Sequence, residues 1–343
     1  MPTDLVLLTG ATGFLGYITL IELLKAGYRV RAAARSQSKI AKVEAAPSFK
    51  ALGASIEWVI VPDMTVDGAY DEAVKGVKYI VHVASPIPTL GAEAIPADQL
   101  EQHFLHQAAK SEVEILQSAQ RTGSVERVIV TSSGVAIVPF DYFIGKGDYS
   151  IEFSDDHRIP DVTGPFDFEF QAYSAGKAAA LNASEAWMAS HKPSFDLISI
   201  IPGWIFGRDE LVADVEGLSK GSTNSVLLGL LLGNKSEAPY NGNVVFGEDV
   251  AKLHVLALDS KVKGNQSFNA AFDFEWEAAL DVLKTSFAQE VAAGKLSVEG
   301  KMPTLPLKMS NRKTKETFAF EFTPLKKIVE SVVNQYLELE AKL

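Results

Sequence analysis

The segment Tyr173-Ser-Ala-Gly-Lys177 places a phenol and an ammonium group four residues apart. On a helix, these two side chains share one face. A free tyrosine, with a pKa near ~10, is a poor acid at neutral pH, and a neighbouring lysine cation lowers that pKa. A tyrosine tuned in this way can give its proton to a carbonyl oxygen as a hydride reaches the carbon. The pair therefore predicts carbonyl reduction, with Tyr173 and Lys177 as catalytic residues.

A second pair with the same spacing, Tyr142 and Lys146, stands among a proline and two glycines. Those residues disfavour a helix, so we interpret the second pair as a chance match. Ser174-Ala-Gly-Lys177 also fits the Ser-x-x-Lys pattern of penicillin-recognising enzymes, but the companion Ser-Asp-Asn and Lys-Thr-Gly motifs are missing from the sequence.

The run Arg127-Val-Ile-Val-Thr-Ser-Ser-Gly134 is apolar and ends in three hydroxyl side chains. In open parallel sheets, ligands bind at the carboxyl edge of the strands. A hydroxyl group there can hydrogen-bond both a carbonyl oxygen and a catalytic tyrosine, although in isolation such residues are commonly strand-end caps. Together with the tyrosine and lysine pair, the run favours a ligand-binding role.

The segment Leu5-Val-Leu-Leu-Thr-Gly-Ala-Thr-Gly-Phe-Leu-Gly16 reads as a strand, a glycine turn and the start of a helix. Gly10 permits the tight turn, Gly13 lets the backbone approach a pyrophosphate, and Gly16 allows close packing of the helix on the strand. A P-loop would need Gly-Lys-Ser/Thr, which is absent from this segment. An ordinary strand-to-helix turn is the alternative, but the context favours dinucleotide binding.

The end of the next candidate strand indicates which dinucleotide binds. NAD sites place an acid there, whereas the 2′-phosphate of NADP suits an arginine. No Asp or Glu occurs between Gly27 and Val43, and Arg35 and Lys39 supply two cations. The sequence predicts NADPH/NADP as the cofactor; the alternative is that both cations are merely solvated.

Short apolar runs alternate with helical patterns over the first two-thirds of the chain. This alternation predicts an α/β fold, a Rossmann-type doubly wound parallel sheet with a smaller C-terminal substrate-binding lobe. The candidate strands are Leu5–Leu8, Arg29–Ala33, Ile56–Val61, Tyr79–Val83, Val128–Thr131 and Leu197–Ile201. The candidate helices between them are Gly13–Ala26, Ser36–Ala46, Asp67–Lys75, Ala97–Thr122 and Tyr173–His191.

The pattern changes after Pro202. We expect residues 1–203 to form an NADP-binding domain that carries the catalytic residues, and residues 204–343 to form mainly the substrate lobe, with some segments returning to the first domain. Later elements are expected at Val250–Leu258, Ser267–Ala270, Trp276–Phe287 and Pro324–Leu343. The irregular segment Phe140–Ala172, rich in acidic and aromatic residues, is either a lid over the site or a solvated insertion.

The composition excludes several classes of protein. The chain has 343 residues, a net charge of −11 and no cysteine. The charge argues against nucleic acid and anionic membrane as partners, and the missing cysteines exclude disulfides and thiolate metal sites. We expect no bound metal, and the absence of a targeting or membrane-spanning segment predicts a cytoplasmic protein. A monomer or homodimer acting on a small-molecule carbonyl compound is expected.

Several motifs in one order carry a family resemblance. They are Thr9-Gly-Ala-Thr-Gly-Phe-Leu-Gly16, Ala34-Arg-Ser-Gln-Ser-Lys39, Val61-Pro-Asp63, Val81-His-Val-Ala-Ser-Pro86, Thr131-Ser-Ser133, Tyr173-x-x-x-Lys177, Ile201-Pro-Gly203 and Glu248-Asp-Val-Ala-Lys-Leu-His254. With this set, nearly the whole chain resembles an extended short-chain dehydrogenase/reductase. The resemblance is closest to the dihydroflavonol 4-reductase-like branch, which includes fungal aldehyde and ketone reductases such as the methylglyoxal reductases.

The resemblance implies a role for each matching position. Tyr173 would donate the proton, Lys177 would bind the nicotinamide ribose, and Ser133 would hold the carbonyl group, with Ser132 as the less favoured neighbour. Arg35 and Lys39 would take the 2′-phosphate. The implied cofactor-binding set is Gly10, Thr12, Gly13, Phe14, Leu15, Gly16, Arg35, Lys39, Asp63, Met64, Ala84, Ser85, Pro86, Thr131, Tyr173, Lys177, Pro202 and Gly203. The implied substrate contacts are Ser133, Tyr173 and Trp204.

The sequence departs from the family pattern at one place. The family often carries an asparagine, in an Asn-x-x-Gly pattern, on the helix before the serine strand. Residues 108–114 contain none, which removes the basis for an asparagine-linked proton relay. Two other functions stay open. One is an NAD-dependent sugar epimerase or dehydratase of the same superfamily, and the other is a cofactor-sensing protein without chemistry.

Overall fold

A computed structural model of the chain describes residues 4–88 and 94–342. Its centre is a seven-stranded sheet whose neighbouring strands all pair in parallel. The strands of the structure are β1 (Leu5–Thr9), β2 (Arg29–Ala34), β3 (Glu57–Ile60), β4 (Tyr79–His82), β5 (Arg127–Thr131), β6 (Glu152–Phe153), β7 (Asp196–Pro202), β8 (Trp204–Phe206), β9 (Tyr240–Asn241), β10 (Asn243–Phe246), β11 (Gln266–Ala270), β12 (Phe272–Asp273), β13 (Thr304–Leu305) and β14 (Lys308–Met309).

The large sheet has the strand order β11-β7-β5-β4-β1-β2-β3, so its connections reverse direction between β1 and β4. Open α/β sheets bind ligands outside the carboxyl ends of the strands at such a reversal. Thr9, at the end of β1, stands in register with Ala33 of β2 and His82 of β4. The Rossmann-type parallel sheet expected from the sequence is confirmed.

Helices cover both faces of this sheet and build much of the C-terminal part of the chain. They are α1 (Phe14–Lys25), α2 (Gln37–Ala45), α3 (Pro47–Leu52), α4 (Gln107–Thr122), α5 (Glu169–His191), α6 (Val215–Ser219), α7 (Asn224–Leu231), α8 (Gly247–Leu256), α9 (Ala278–Ser286), α10 (Ala288–Ala292), α11 (Arg312–Phe318) and α12 (Leu325–Glu340). Along β1, Val6 and Leu8 join the core under α1 and α8, whereas Leu5 and Leu7 join the core under α4 and α5. Alternate residues of one strand are therefore buried on opposite faces, which explains why the strand reads as a continuous apolar run.

The C-terminal part of the chain is divided between two bodies. β11 forms the edge of the large sheet and α8 packs on α1. A second core, which contains the fully buried Trp276, is formed by the small sheet β12-β10-β8 together with α6, α7, α9 and α12. The tail helix expected from the spacing of its apolar residues is confirmed.

Two helices predicted from the sequence differ from those in the structure. The helix predicted for Asp67–Lys75 is wrong, because the segment is a series of turns in which Gly68 has a φ of +80°. The helix predicted as one piece over Ala97–Thr122 begins as a 3₁₀ turn at Ala97–Gln99 and a π-helix at Glu101–His106 before α4. Periodicity of apolar residues does not distinguish these helix types.

Within the described ranges, no helix is both long and apolar enough to cross a membrane. The same residues contain no group of three or more His, Asp or Glu side chains that could hold a metal ion.

Candidate active site

The turn between β1 and α1 is built on close backbone contacts. Gly10 has a φ of +77°, and a Cβ atom there would lie 2.8 Å from the backbone nitrogen of Ala84. A Cβ atom on Gly16 would lie 1.9 Å from the carbonyl oxygen of Gly10, so both positions require glycine. Gly13 caps α1 without a side-chain hydrogen bond and without an acidic residue in the first turn. The first N–H groups of α1 are therefore available to an anion.

A buried hydroxyl group ties this turn to the end of β4. Thr9 Oγ1 accepts hydrogen bonds from the backbone nitrogens of Val83 and Ala84, each at 3.1 Å, and lies 2.9 Å from His82 Nδ1. Since Thr9 already accepts twice, its proton goes to His82. Burial lowers the pKa of His82 to about 3, so the imidazole is neutral. The two backbone hydrogen bonds to Thr9 hold Val83 and Ala84 beside the glycine turn.

The residues expected to bind the adenosine end follow β2 and β3 along the same edge. Arg35 and Lys39 are exposed, and neither has an ionic partner in the described part of the chain. Asp63 Oδ1 accepts hydrogen bonds from the backbone nitrogen and hydroxyl of Thr65 at 2.8 and 2.7 Å, which lower the pKa of Asp63. Met64 is half-buried beside it. Open N–H groups at one end and free cations at the other fit a phosphorylated dinucleotide.

α5 positions the tyrosine and lysine pair. Tyr173 and Lys177 lie one turn apart near the N-terminal end of α5. At Gly176, α5 packs against the π-helix Glu101–His106. A Cβ atom on Gly176 would lie 2.3 Å from the carbonyl oxygen of Phe104, so a larger residue would push the helix away. The Phe104 ring meets the Tyr173 ring edge-on at 6.3 Å.

The end of β5 meets this pair. The Ser133 side chain hydrogen-bonds the Tyr173 side chain. Lys177 Nζ donates to the carbonyl oxygen of Thr131 at 3.1 Å. Thr131 Oγ1 lies 2.7 Å from His254 Nε2, while His254 Nδ1 lies 2.7 Å from the carbonyl oxygen of Val250. His254 Nδ1 must carry the proton, because its partner only accepts, so Nε2 receives the Thr131 hydrogen.

Burial acts on both titratable groups of the pair. It raises the pKa of Tyr173, and the hydrogen bond to Ser133 opposes this effect. Burial lowers the pKa of Lys177, and the negative charge of Glu112 opposes it. The phenol is therefore protonated at neutral pH, as an acid must be. The lowering of the Tyr173 pKa by Lys177, expected from the sequence, stays a prediction.

The irregular segment before α5 and the first turn of α5 form a wall of aromatic rings next to Tyr173. Phe170 stacks on Tyr173 with ring centres 6.5 Å apart, and Phe140 and Phe143 lie within 6.0 Å of Phe170. Arg158 anchors the segment to α5 through two hydrogen bonds to Glu185, at 2.8 and 2.5 Å. The segment also buries several core residues, so it is not a merely solvated insertion.

The end of β7 and the residues after it lie close to the end of β5. A Cβ atom on Gly134, next to Ser133, would lie 3.6 Å from the carbonyl oxygen of Pro202. Gly203 follows, and a Cβ atom there would meet the carbonyl oxygen of Asn243 at 2.2 Å. Trp204 donates to Asn241 Oδ1 at 3.0 Å and packs on the rings of Phe206, Tyr240 and Trp276. Its predicted contact with the substrate stays a prediction.

Three functional neighbours escaped the sequence-based reasoning. His82 and His254 were visible inside the motifs Val81–Pro86 and Glu248–His254, but their partners only become evident in the folded chain. Glu112 gave no signal, because a glutamate in the middle of a helix reads as a solvated residue.

The parallel sheet, the glycine turn at its reversal and the serine, tyrosine and lysine set define the class of extended short-chain dehydrogenases/reductases. The chain belongs to the NAD-dependent epimerase/dehydratase family, whose model matches residues 6–271.

Its relatives include reductases of similar length. A ketoreductase of Cercospora beticola, CTB6, is 39% identical over 353 aligned positions, covering 100% of this chain and 97% of that protein. A putative NADPH-dependent methylglyoxal reductase of Candida albicans, GRP2, is 26% identical, covering 97% of this chain and 98% of that protein. The crystal structure of yeast methylglyoxal/isovaleraldehyde reductase Gre2 with NADPH is similar with a TM-score of 0.83 and 25% identity, covering 99% of this chain and 100% of that one.

Proposed function

We propose that the protein is an NADPH-dependent carbonyl reductase that acts on an aldehyde or a ketone. The observation that carries this proposal is the assembly of Ser133, Tyr173 and Lys177 at the carboxyl edge of the sheet, beside the glycine turn. The names of the relatives, ketoreductase and methylglyoxal reductase, support the same reaction class.

The cofactor site runs along the edge from β3 to β5. The first N–H groups of α1 would hold the pyrophosphate, Arg35 and Lys39 would bind the 2′-phosphate, and Asp63 would contact the adenosine end. Lys177 would bind the nicotinamide ribose, and Pro202 would begin the turn by the nicotinamide. When bound, NADPH supplies the hydride.

Tyr173 donates its proton to the oxygen of the substrate carbonyl. Because burial raises its pKa, the phenol keeps this proton at neutral pH until the oxygen becomes basic enough to take it. Ser133 holds the same oxygen by a hydrogen bond. The aromatic wall of Phe140, Phe143 and Phe170 excludes water and offers an apolar surface to the rest of the substrate.

The two rival functions predict different behaviour. An epimerase or dehydratase would keep tightly bound NAD, but Arg35 and Lys39 follow β2 and no acid occurs between Gly27 and Val43. A cofactor-sensing protein would bind NADPH without turnover, and it would not need a protonated tyrosine bonded to Ser133.

The test is a screen of NADPH consumption over ketoesters, simple aldehydes, 2-oxoaldehydes and dihydroflavonols, with NADH in parallel and analysis of any nucleotide that copurifies. We expect turnover with NADPH in preference to NADH. Arg35→Ala should raise the KM for NADPH about tenfold or more and leave that for NADH nearly unchanged, since a charge-assisted hydrogen bond contributes about 1.5–3 kcal/mol. Copurified NAD, or NADPH binding without turnover over the whole panel, would overturn the proposal.

A further inference from the structure

Glu112 is a buried carboxylate that the mechanism above does not use. It lies on α4, which packs along α5, and it is only 7% exposed. Its Oε1 atom has no hydrogen-bond partner among the described residues. Ser184 of α5 can hydrogen-bond Glu112, but the Ser184 hydroxyl also lies 2.9 Å from the carbonyl oxygen of Leu181, and it has one proton to give. The fold therefore leaves this carboxylate incompletely bonded.

Another glutamate on the same helix shows what a structural carboxylate looks like here. Glu114 is 2% exposed, and its Oε1 atom accepts hydrogen bonds from the backbone nitrogen of Gly68 and from Arg121, each at 2.8 Å, and from Ser118 at 3.1 Å. A buried carboxylate without such partners costs free energy. Glu112 is thus retained at a cost to stability, which suggests a role outside stability.

The charges around Glu112 indicate that role. Lys177 attracts it, and Glu185 repels it, although Glu185 is paired with Arg158. Burial raises the pKa of Glu112 to about 6, so the group is mostly ionised at neutral pH. Conversely, the negative charge of Glu112 opposes the lowering of the Lys177 pKa by burial.

Lys177 needs such a counter-charge. Its side chain is buried, its ammonium group donates to the neutral carbonyl of Thr131, and burial favours loss of its proton. His82 also faces Lys177 from β4, but it is held neutral and supplies no negative charge. Tyr173, one turn away, is protonated.

We propose that Glu112 is a positioning residue of the active site: its buried carboxylate keeps the Lys177 ammonium group charged, so that Lys177 can bind the cofactor ribose and act on Tyr173. This inference rests on the proposed function for its catalytic consequence. The electrostatic coupling between the two side chains stands independently of the reaction.

The first experiment compares Glu112→Gln with Glu114→Gln in the pH dependence of kcat for carbonyl reduction at saturating NADPH. Loss of the negative charge favours proton loss from either Lys177 or Tyr173, so the alkaline limb should move to lower pH by about one unit in Glu112→Gln. Glu112→Asp, which keeps the charge, should restore most of the wild-type profile. The control Glu114→Gln should lower the melting temperature and leave the profile in place. A Glu112→Gln profile that superimposes on wild type, or an equal shift in Glu114→Gln, would refute the proposal.

The second experiment needs no activity. Lys177→Met leaves Glu112 without its counter-charge. Glu112→Gln should therefore raise the urea midpoint more in the Lys177→Met variant than in the wild type, whereas the two changes would be additive if the groups did not interact. Additive changes refute the coupling even if the enzyme proves to have another reaction. Non-additive changes without carbonyl turnover would uphold the pair and reject the proposed function, so the two failures are distinguishable. If Glu112→Gln fails to fold, Glu112→Asp and Lys177→Arg serve in the same cycle.

Discussion

The polar groups at the two ends of strand β5 differ in how completely they are hydrogen-bonded. At its N-terminal end, the Arg127 guanidinium makes hydrogen bonds of 2.6 and 2.8 Å to Asp196. It also donates to three backbone carbonyls at the end of α8 and beyond, those of Ala257, Asp259 and Val262, at 2.7–2.8 Å. At the C-terminal end, Lys177 of α5 uses one of its three donors among the described residues, on the carbonyl oxygen of Thr131.

The difference separates structural polarity from functional polarity within five residues of one strand. A buried group that serves stability has all its donors and acceptors matched, because each unmatched one costs free energy. A group that must bind cofactor or substrate keeps part of its bonding capacity open for the ligand. The contrast between Glu114 and Glu112 on α4 repeats this pattern one layer away.

The largest effect is expected next to the C-terminal end of β5, from Tyr173→Phe. This change removes the proton donor while keeping the ring contacts, so kcat for carbonyl reduction should fall by about 10²–10⁴-fold with little change in melting temperature. Tyr142→Phe is the matched control, since Tyr142 packs on Phe153 in the neighbouring core, outside the proposed site. Near wild-type turnover in Tyr173→Phe would show that Tyr173 is not the proton donor.

At the N-terminal end of β5, Arg127→Met should affect stability alone. It breaks the ion pair with Asp196 and removes the donors to three carbonyls, of which only that of Asp259 keeps a backbone N–H partner among the described residues. The free energy of unfolding should therefore fall by about 3 kcal/mol or more. Urea denaturation measures this loss, and kcat per folded molecule should stay close to wild type. If turnover fell as far as stability, the two ends would not be separable.

The smallest expected difference lies between adjacent serines. Ser133→Ala removes the hydrogen bond to Tyr173 and should reduce kcat by about 10²-fold. Ser132→Ala removes a hydroxyl group that has no partner in the described structure, so activity should stay near the wild-type level and stability should not fall. Equal losses of kcat in the two variants would show that Ser132 also reaches the substrate.

The sequence predicted the strands of the large sheet well, because burial on both faces makes them continuous apolar runs with little ambiguity. The motifs also predicted that Tyr173, Lys177 and the hydroxyl-rich end of β5 act together at the carboxyl edge of the sheet. The turns at Asp67–Lys75 were missed because Gly68 adopts a positive φ that an amphipathic pattern does not reveal. The environment of Glu112 could not be predicted, since it depends on how closely α4 and α5 pack.

The most direct measurement of the central claim follows the hydride to its destination. NADPH deuterated at both positions of nicotinamide C4 is incubated with the wild-type enzyme and a ketone or aldehyde, and the product is analysed by mass spectrometry and NMR. We expect an alcohol with one deuterium on the former carbonyl carbon and a solvent-derived proton on oxygen. Recovery of the labelled cofactor unchanged with every carbonyl compound tested, or an alcohol without deuterium on that carbon, would contradict it.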